Sequence, residues 1–291
     1  MIGVDEIQDI LKIALYSGAL EGEKPLSVIL ISSVGGGKTN LLQKTQKPPK
    51  IKIQKVKDRD GTEREIEVRQ IDGSVLYTTK TTPYVLYTRY GKLLKSGQIK
   101  HLVVPDFLTI LNLPRYQMMD TISFYNSLIE EGIMAIESRD GSFVTEFPVT
   151  VGLLTGIARQ DFNRKKDEMA AIGFLSRALP VSWHYNSQTA QAIRDSVKAK
   201  EYLTDISNFN INLPSKKASV GIPSKLANVI EQVALATRDS NDELGARRQK
   251  QLQTFCMSNA LMENRTEVNI EDIKKLRLYQ KFFNYDCSAD I

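Results

Sequence analysis

"LSVILISSVGGGKTNLL", residues 26–42, is the stretch on which the fold turns. Val28-Ile29-Leu30-Ile31 is apolar without interruption and ends in two serines. Gly35-Gly36-Gly37-Lys38-Thr39 follows, and Leu41-Leu42 resumes the apolar character. An unbroken apolar run is what a parallel strand covered on both faces requires. A helix is predicted from Thr39 onward. Strand, glycine loop and helix together predict an α/β fold with a parallel sheet flanked by helices.

The loop fits the phosphate-binding template G-x-x-x-x-G-K-[ST], except that Ser32 stands where the first glycine belongs. Each remaining part has a physical task. Gly35, Gly36 and Gly37 let backbone N–H groups approach phosphate oxygens with no Cβ in the way. The helix beginning at Thr39 and Asn40 turns its positive end to the anion. Lys38 would place its ammonium on the β- and γ-phosphates, and Thr39 would offer its hydroxyl to Mg²⁺. The implied ligands are ATP or ADP with magnesium. The second metal-facing residue is expected at the end of a neighbouring apolar strand. Asp106, after "HLVVP", fills that place; its other reading is a cap on the next helix.

Further along, residues 4–17 carry Val4, Ile7, Leu11 and Leu15 on one helical face. "KTQKPPKIKIQKVK" at 44–57 has six lysines and no acid. With "TEREIEV" beyond the turn signal "DRDG" it predicts a hairpin insertion over 44–79. "GIMAIESRDGSFVTEF" at 132–147 reads as a second hairpin with its tip at Asp140-Gly141. "VTVGLLTGIAR" at 149–159 is a further buried strand. Leu226, Val229, Ile230 and Val233, then Leu252, Phe255, Cys256 and Ala260, then Ile270, Ile273, Leu276 and Leu278 repeat at helical spacing. The expected division is an α/β nucleotide-binding domain over 1–185 and a smaller all-α domain over 186–291.

The 291 residues are 42% hydrophobic and 25% charged, ordinary for a globular chain. No run approaches the roughly 20 apolar residues that span a bilayer, so no membrane association is expected. The amino terminus has no signal-peptide pattern. Cys256 and Cys287 are too few for a disulfide framework or a structural zinc site, which points to a reducing, cytoplasmic setting. The net charge of +5 agrees with a polyanionic partner or with ordinary surface charge.

Loop, acid and later polar strand end stand in an order that resembles AAA+ P-loop ATPases over most of the chain. The resemblance makes Gly37-Lys38-Thr39 the Walker A motif and Asp106 the Walker B aspartate. Thr155, ending "VTVGLLT", is then the sensor that faces the γ-phosphate, with Arg159 a competing cation close after it. "GFLSRALPVSW" at 173–183 is similar to the segment bearing the arginine finger, here Arg177, which would reach a nucleotide held by the neighbouring subunit. The carboxyl-terminal helices resemble the AAA+ lid. "GARRQKQLQTFCMSNALMENRTEVNIEDI" at 245–273 is similar to the sensor 2 region of minichromosome maintenance-like helicases, with Arg247 in the sensor place and Arg248 its neighbour.

One departure bears on chemistry. The family has a glutamate after the Walker B aspartate to orient the attacking water; Phe107 stands there. Either an acid from elsewhere serves, Asp120 and Glu130 being the acids on the following helix, or the chain is a slow, nucleotide-dependent switch. The resemblance implies a homo-oligomer, as a ring or a filament. It implies an ATPase motor or switch acting on DNA in replication, as a helicase or helicase loader, with the lysine tract and the 132–147 hairpin as contacts. The alternatives are a remodeller or scaffold for a protein partner and an ATPase of transcription or defence. The single helix before the loop suggests that a separate effector protein completes the function.

Overall fold

A computed structural model describes residues 2–46, 50–57, 63–70, 73–79, 81–138, 141–200, 208–214, 216–238, 244–286 and 288–291. In chain order the strands are β1 (Val28–Ser32), β2 (Lys50–Lys57), β3 (Glu63–Gln70), β4 (Val75–Tyr77), β5 (His101–Val104), β6 (Ile133–Ser138), β7 (Gly141–Val149), β8 (Gly152–Ala158), β9 (Leu179–His184) and β10 (Ala289–Asp290). The helices are α1 (Asp5–Tyr16), α2 (Lys38–Gln43), α3 (Pro83–Lys95), α4 (Leu108–Leu111), α5 (Arg115–Asn126), α6 (Arg159–Ala171), α7 (Ser187–Lys198), α8 (Ser224–Thr237), α9 (Ala246–Met262) and α10 (Ile270–Tyr279).

Six strands form one sheet in the order β10-β9-β1-β8-β5-β4, and every neighbouring pair runs parallel. Alternation along β1 explains why both faces must be covered. Val28 and Leu30 enter one core with Leu154, Val181 and Trp183; Ile29 and Ile31 enter the other with Val104, Leu153 and Ile157. The first face is covered by α1 and by α8–α10, through Ile7, Leu11, Ile230, Leu252, Phe255 and Leu276 among others. The second is covered by α3, α5 and α6, through Leu86, Ile122, Tyr125, Phe162 and Met169.

β8 lies between β1 and β5, so the strand that leads into the loop and the strand that leads to Asp106 are not neighbours. The register places Ile29 and Val104 on either side of Thr155, and Ser32 opposite Ala158. The glycine loop and Asp106 therefore follow the carboxyl end that β1, β8 and β5 share.

The two hairpins form separate two-stranded sheets. In the first, Lys55 stands opposite Glu65 and Lys57 opposite Glu63, while Lys50 and Lys52 stand opposite Gln70 and Val68; its expected turn lies outside the described residues. β4 is not part of that insertion. Its apolar Leu76 and Tyr77 are buried, and Val75–Tyr77 pairs parallel with His101–Val103 at the edge of the main sheet. In the second hairpin, Phe143 is buried so closely against α3 that a Cβ at Gly91 would lie 3.3 Å from its ring; the expected tip at Asp140 falls outside the described residues.

Beyond residue 186 the described elements are helices α7–α10 and the strand β10, which returns the chain to the sheet edge beside β9. On α10, Ile273 and Leu276 are buried, but Ile270 and Leu278 are exposed, so the apolar face is narrower than the sequence predicts. Asp272 closes a capping box with Asn269 at the start of this helix and accepts from both terminal nitrogens of Arg265 at 2.7 Å. Among the described residues no helix is long and apolar enough to cross a membrane. Cys256 is buried and free, and Cys287 lies outside the described residues.

Candidate functional site

β1 ends at Ser32, and six residues later α2 begins at Lys38. Gly35 and Gly37 both adopt φ +76°, and Gly37 is the left-handed residue from which α2 starts. A side chain is strained in that region. Gly36 is constrained by space instead. A Cβ there would lie 2.3 Å from Ser32 Oγ and 3.0 Å from the Ser33 carbonyl oxygen. Ser32 is thus more than a tolerated substitute for glycine. Its hydroxyl occupies the room that Gly36 leaves, and it lies 3.2 Å from Lys38 Nζ.

Lys38 Nζ also donates to the carbonyls of Ser32 at 3.1 Å and Ser33 at 2.8 Å. The ammonium is folded back into the loop. Burial lowers its pKa to about 8, with Asp106 and Asp161 nearby acting in the opposite direction. Tyr185, just beyond β9, donates its hydroxyl to the Gly36 carbonyl at 3.1 Å. Leu41 and Leu42 anchor α2 in the core, whereas Thr39 and Asn40 are exposed at its first turn.

Asp106 is exposed at the end of β5, on the same side of the sheet as the loop. Its Oδ1 accepts the Leu108 N–H at 3.0 Å, so the capping reading and the metal reading hold the same residue. Phe107 points the other way. It is fully buried and stacks on Phe174 with ring centroids 4.5 Å apart and an 18° interplanar angle. Its N–H donates to the Gly156 carbonyl at 2.8 Å, which fixes the turn beside β8. The position after Asp106 belongs to the core.

Thr155 is fully buried, and its hydroxyl donates to the Val104 carbonyl at 2.6 Å. It adjoins Gly156, where a Cβ would lie 3.4 Å from Lys38 Cβ. The end of β8 and the start of α6 follow. Arg159 there donates to Tyr285 O at 2.6 Å, to Ser288 Oγ at 2.8 Å and to Ser182 Oγ, tying β8 to β9 and the last segment of the chain. Asp161, in the first turn of α6, acts electrostatically on Lys38; the sequence reading passes it over. Glu130 pairs with Lys24, which precedes β1 at the other end of the sheet; Asp120 is exposed on α5.

Arg177 also lies at that other end. It precedes β9, whose first residue Leu179 stands opposite Val28, the first residue of β1. From Val28 to Ser32, where β1 enters the loop, is about 13 Å along the strand. Arg177 donates to the Gly173 carbonyl at 2.8 Å and to Glu131 Oε1 at 3.0 Å. Arg247 donates to Ser176 Oγ at 3.0 Å, one residue from Arg177. Arg248 is buried, so of the two arginines Arg247 is the one that joins Arg177. The glycine loop, Lys38, Thr39 and Asp106 therefore share one end of the sheet, and Arg177 and Arg247 share the opposite end. Among the described residues no group of three or more His, Cys, Asp or Glu side chains gathers as a metal site would require.

No protein-family model matches the chain, and no curated protein matches it. Among solved structures it is similar to a full-length MCM homolog from Methanopyrus kandleri, with 11% sequence identity and a TM-score of 0.46, over 97% of this chain and 56% of that one. This chain thus spans little more than half the length of that protein.

Proposed function

We propose that this chain is an ATP-binding subunit of the AAA+ kind, which works as an oligomer and hydrolyses the nucleotide at the boundary between two subunits. The separation of Lys38 and Asp106 from Arg177 and Arg247 by the length of β1 carries this reading. On this reading the cations at the far end serve the loop of a neighbour stacked head to tail rather than that of their own chain.

The loop suits a polyphosphate. Gly36 leaves a cradle that a Cβ would fill, and the Gly37 conformation turns the start of α2 toward the anion. Lys38 would exchange its loop carbonyls for phosphate oxygens. Thr39 and Asp106 would hold Mg²⁺, which supplies charge neutralisation on the β- and γ-oxygens.

ATP titration tests the first step. Lys38→Ala is expected to lose measurable affinity, and unchanged affinity would refute the loop assignment. Mixing Arg177→Ala with Lys38→Ala subunits tests the second. Part of the hydrolysis is expected to return, because some boundaries then pair an intact loop with an intact arginine. Confirmed co-assembly with no recovery would refute action in trans.

For the substrate we favour DNA. The lysine-rich strand β2 stands outside the main sheet in its own hairpin, and a lysine tract of this kind suits contact with phosphates.

A further inference from the structure

The water-orienting acid that the sequence lacks beside Asp106 cannot be regained at position 107, because that side chain is part of the core. The geometry around Lys38 points to another source. Lys38 Nζ is held by the carbonyl and hydroxyl of Ser32. Ser32 stands opposite Ala158 in the adjacent parallel strand, about 4.8 Å away across the ladder. Asp161 follows Ala158 by three residues, in the first turn of α6. A Cβ on Gly156, from the same strand end, would lie 3.4 Å from Lys38 Cβ and 3.1 Å from the Pro105 carbonyl oxygen. The end of β8 therefore fits between the lysine and the segment bearing Asp106, and α6 starts from that wedge.

The turn that carries Asp161 is anchored on both sides. Two residues before it, Arg159 is tied to Tyr285, Ser288 and Ser182. One residue after it, Phe162 is fully buried and stacks on Tyr285 at 5.6 Å. Asp161 itself pairs with Arg164, whose side chain is 69% exposed while that of Asp161 is 16% exposed. An exposed partner of this kind contributes little and is readily exchanged. The electrostatic action of Asp161 on Lys38, alongside that of Asp106, agrees with this placement.

We propose that Asp161 is the acid that orients the attacking water when a nucleoside triphosphate bound at the loop is hydrolysed. This rests on the nucleotide reading given above. In the step, the water oxygen forms a bond to the γ-phosphorus. The bond from that phosphorus to the β,γ-bridging oxygen breaks, and its electron pair leaves with the nucleoside diphosphate. The proton lost by the water passes to the Asp161 carboxylate and from there to solvent, and inorganic phosphate is released. Such a group must reach the water directly, and its removal slows the chemical step rather than binding.

The test compares the full wild-type chain with Asp161→Asn and Asp161→Glu, at a concentration that permits assembly, with magnesium and ATP. Affinity for ATP, turnover and melting temperature are all measured. Asp161→Asn is expected to bind ATP within about threefold of wild type, melt at the wild-type temperature, and turn over about a hundredfold more slowly. Asp161→Glu is expected to recover part of the rate. Wild-type turnover in Asp161→Asn overturns the proposal and leaves the nucleotide reading standing. So does a wild-type chain that binds ATP without turnover. Lost ATP binding or a lowered melting temperature in Asp161→Asn makes the residue structural and also overturns it. A wild-type chain that binds no ATP overturns the nucleotide reading, and this one with it.

Discussion

Lys38 shows how a single side chain carries a testable pH dependence. Its ammonium is partly desolvated, and its pKa falls to about 8. Phosphate binding requires the charged form. Affinity for ATP is therefore expected to weaken as pH rises through about 8, by up to about tenfold for each further pH unit. Lys38→Arg, which stays charged, is expected to bind with an affinity independent of pH over that range. Isothermal titration at several pH values checks both. His101 is the second case. It is fully buried at the start of β5, and burial pushes its pKa from 6.5 to about 3. Because the folded-state value is depressed for a base, the unfolded chain takes up the proton first, and stability falls as pH drops below about 6.5. Between pH 6.5 and 5 the loss is expected to be about 1.5 kcal/mol, read from urea midpoints, and His101→Leu is expected to remove this component of the slope. Residues of this scale are legible in the sequence when their partners are chain neighbours. Gly36, Gly37 and Lys38 could be assigned by spacing alone. Asp161 could not, because which residue of β8 stands level with Ser32 depends on the register between strands that are far apart in the chain.

At the scale of elements, the Phe107–Phe174 stack makes the position after Asp106 part of the core. The turn after Asp106 is clamped to β8 by the Phe107 N–H and filled beneath by two rings. Phe107→Ala is expected to cost about 3–5 kcal/mol. Phe107→Glu is expected to destabilise further and to restore no hydrolysis, since it buries a carboxylate in an apolar core. Denaturant unfolding combined with an ATPase assay would separate the two effects, and a stable, faster Phe107→Glu variant would contradict the packing described here. Elements with long apolar periodicity, α1, α8 and α9, were readable, as was the continuous run of β1. β4 was not separable from the insertion because three residues carry almost no period. β10, two residues long, left no signal at all. On α10 the apolar residues exceed what the core covers, and Leu278 falls off the buried face.

For the whole molecule, the parallel sheet acts as a spacer with the glycine loop at one end and two arginines at the other. A contact between unlike ends is heterologous, and it closes into a ring or runs on as a filament according to the rotation it imposes. The lysine-bearing hairpin permits a prediction finer than net charge. In register Lys50 and Lys52 are paired with Gln70 and Val68, whereas Lys55 and Lys57 are paired with Glu65 and Glu63. Replacing Lys50 and Lys52 with Ala is expected to weaken DNA binding and to reduce the slope of log affinity against log salt by about 2, and replacing Lys55 and Lys57 to change it less. Fluorescence anisotropy across a salt series measures this. Equal slopes for both double variants and wild type would remove the hairpin from the DNA-binding surface. The α/β architecture and the position of the loop were visible in the sequence. The opposite-ended layout was not, since it emerges only when β9 is set beside β1.

Arg177 does not wait with an open hand. Glu131, at the end of the π-helical turn Ser127–Glu131, already supplies it with a carboxylate. On the proposed action in trans, a neighbour's phosphate would compete with an anion built into the same subunit, so docking would exchange one counter-ion for another. A polyphosphate shortened by one group would then favour the return of Arg177 to Glu131.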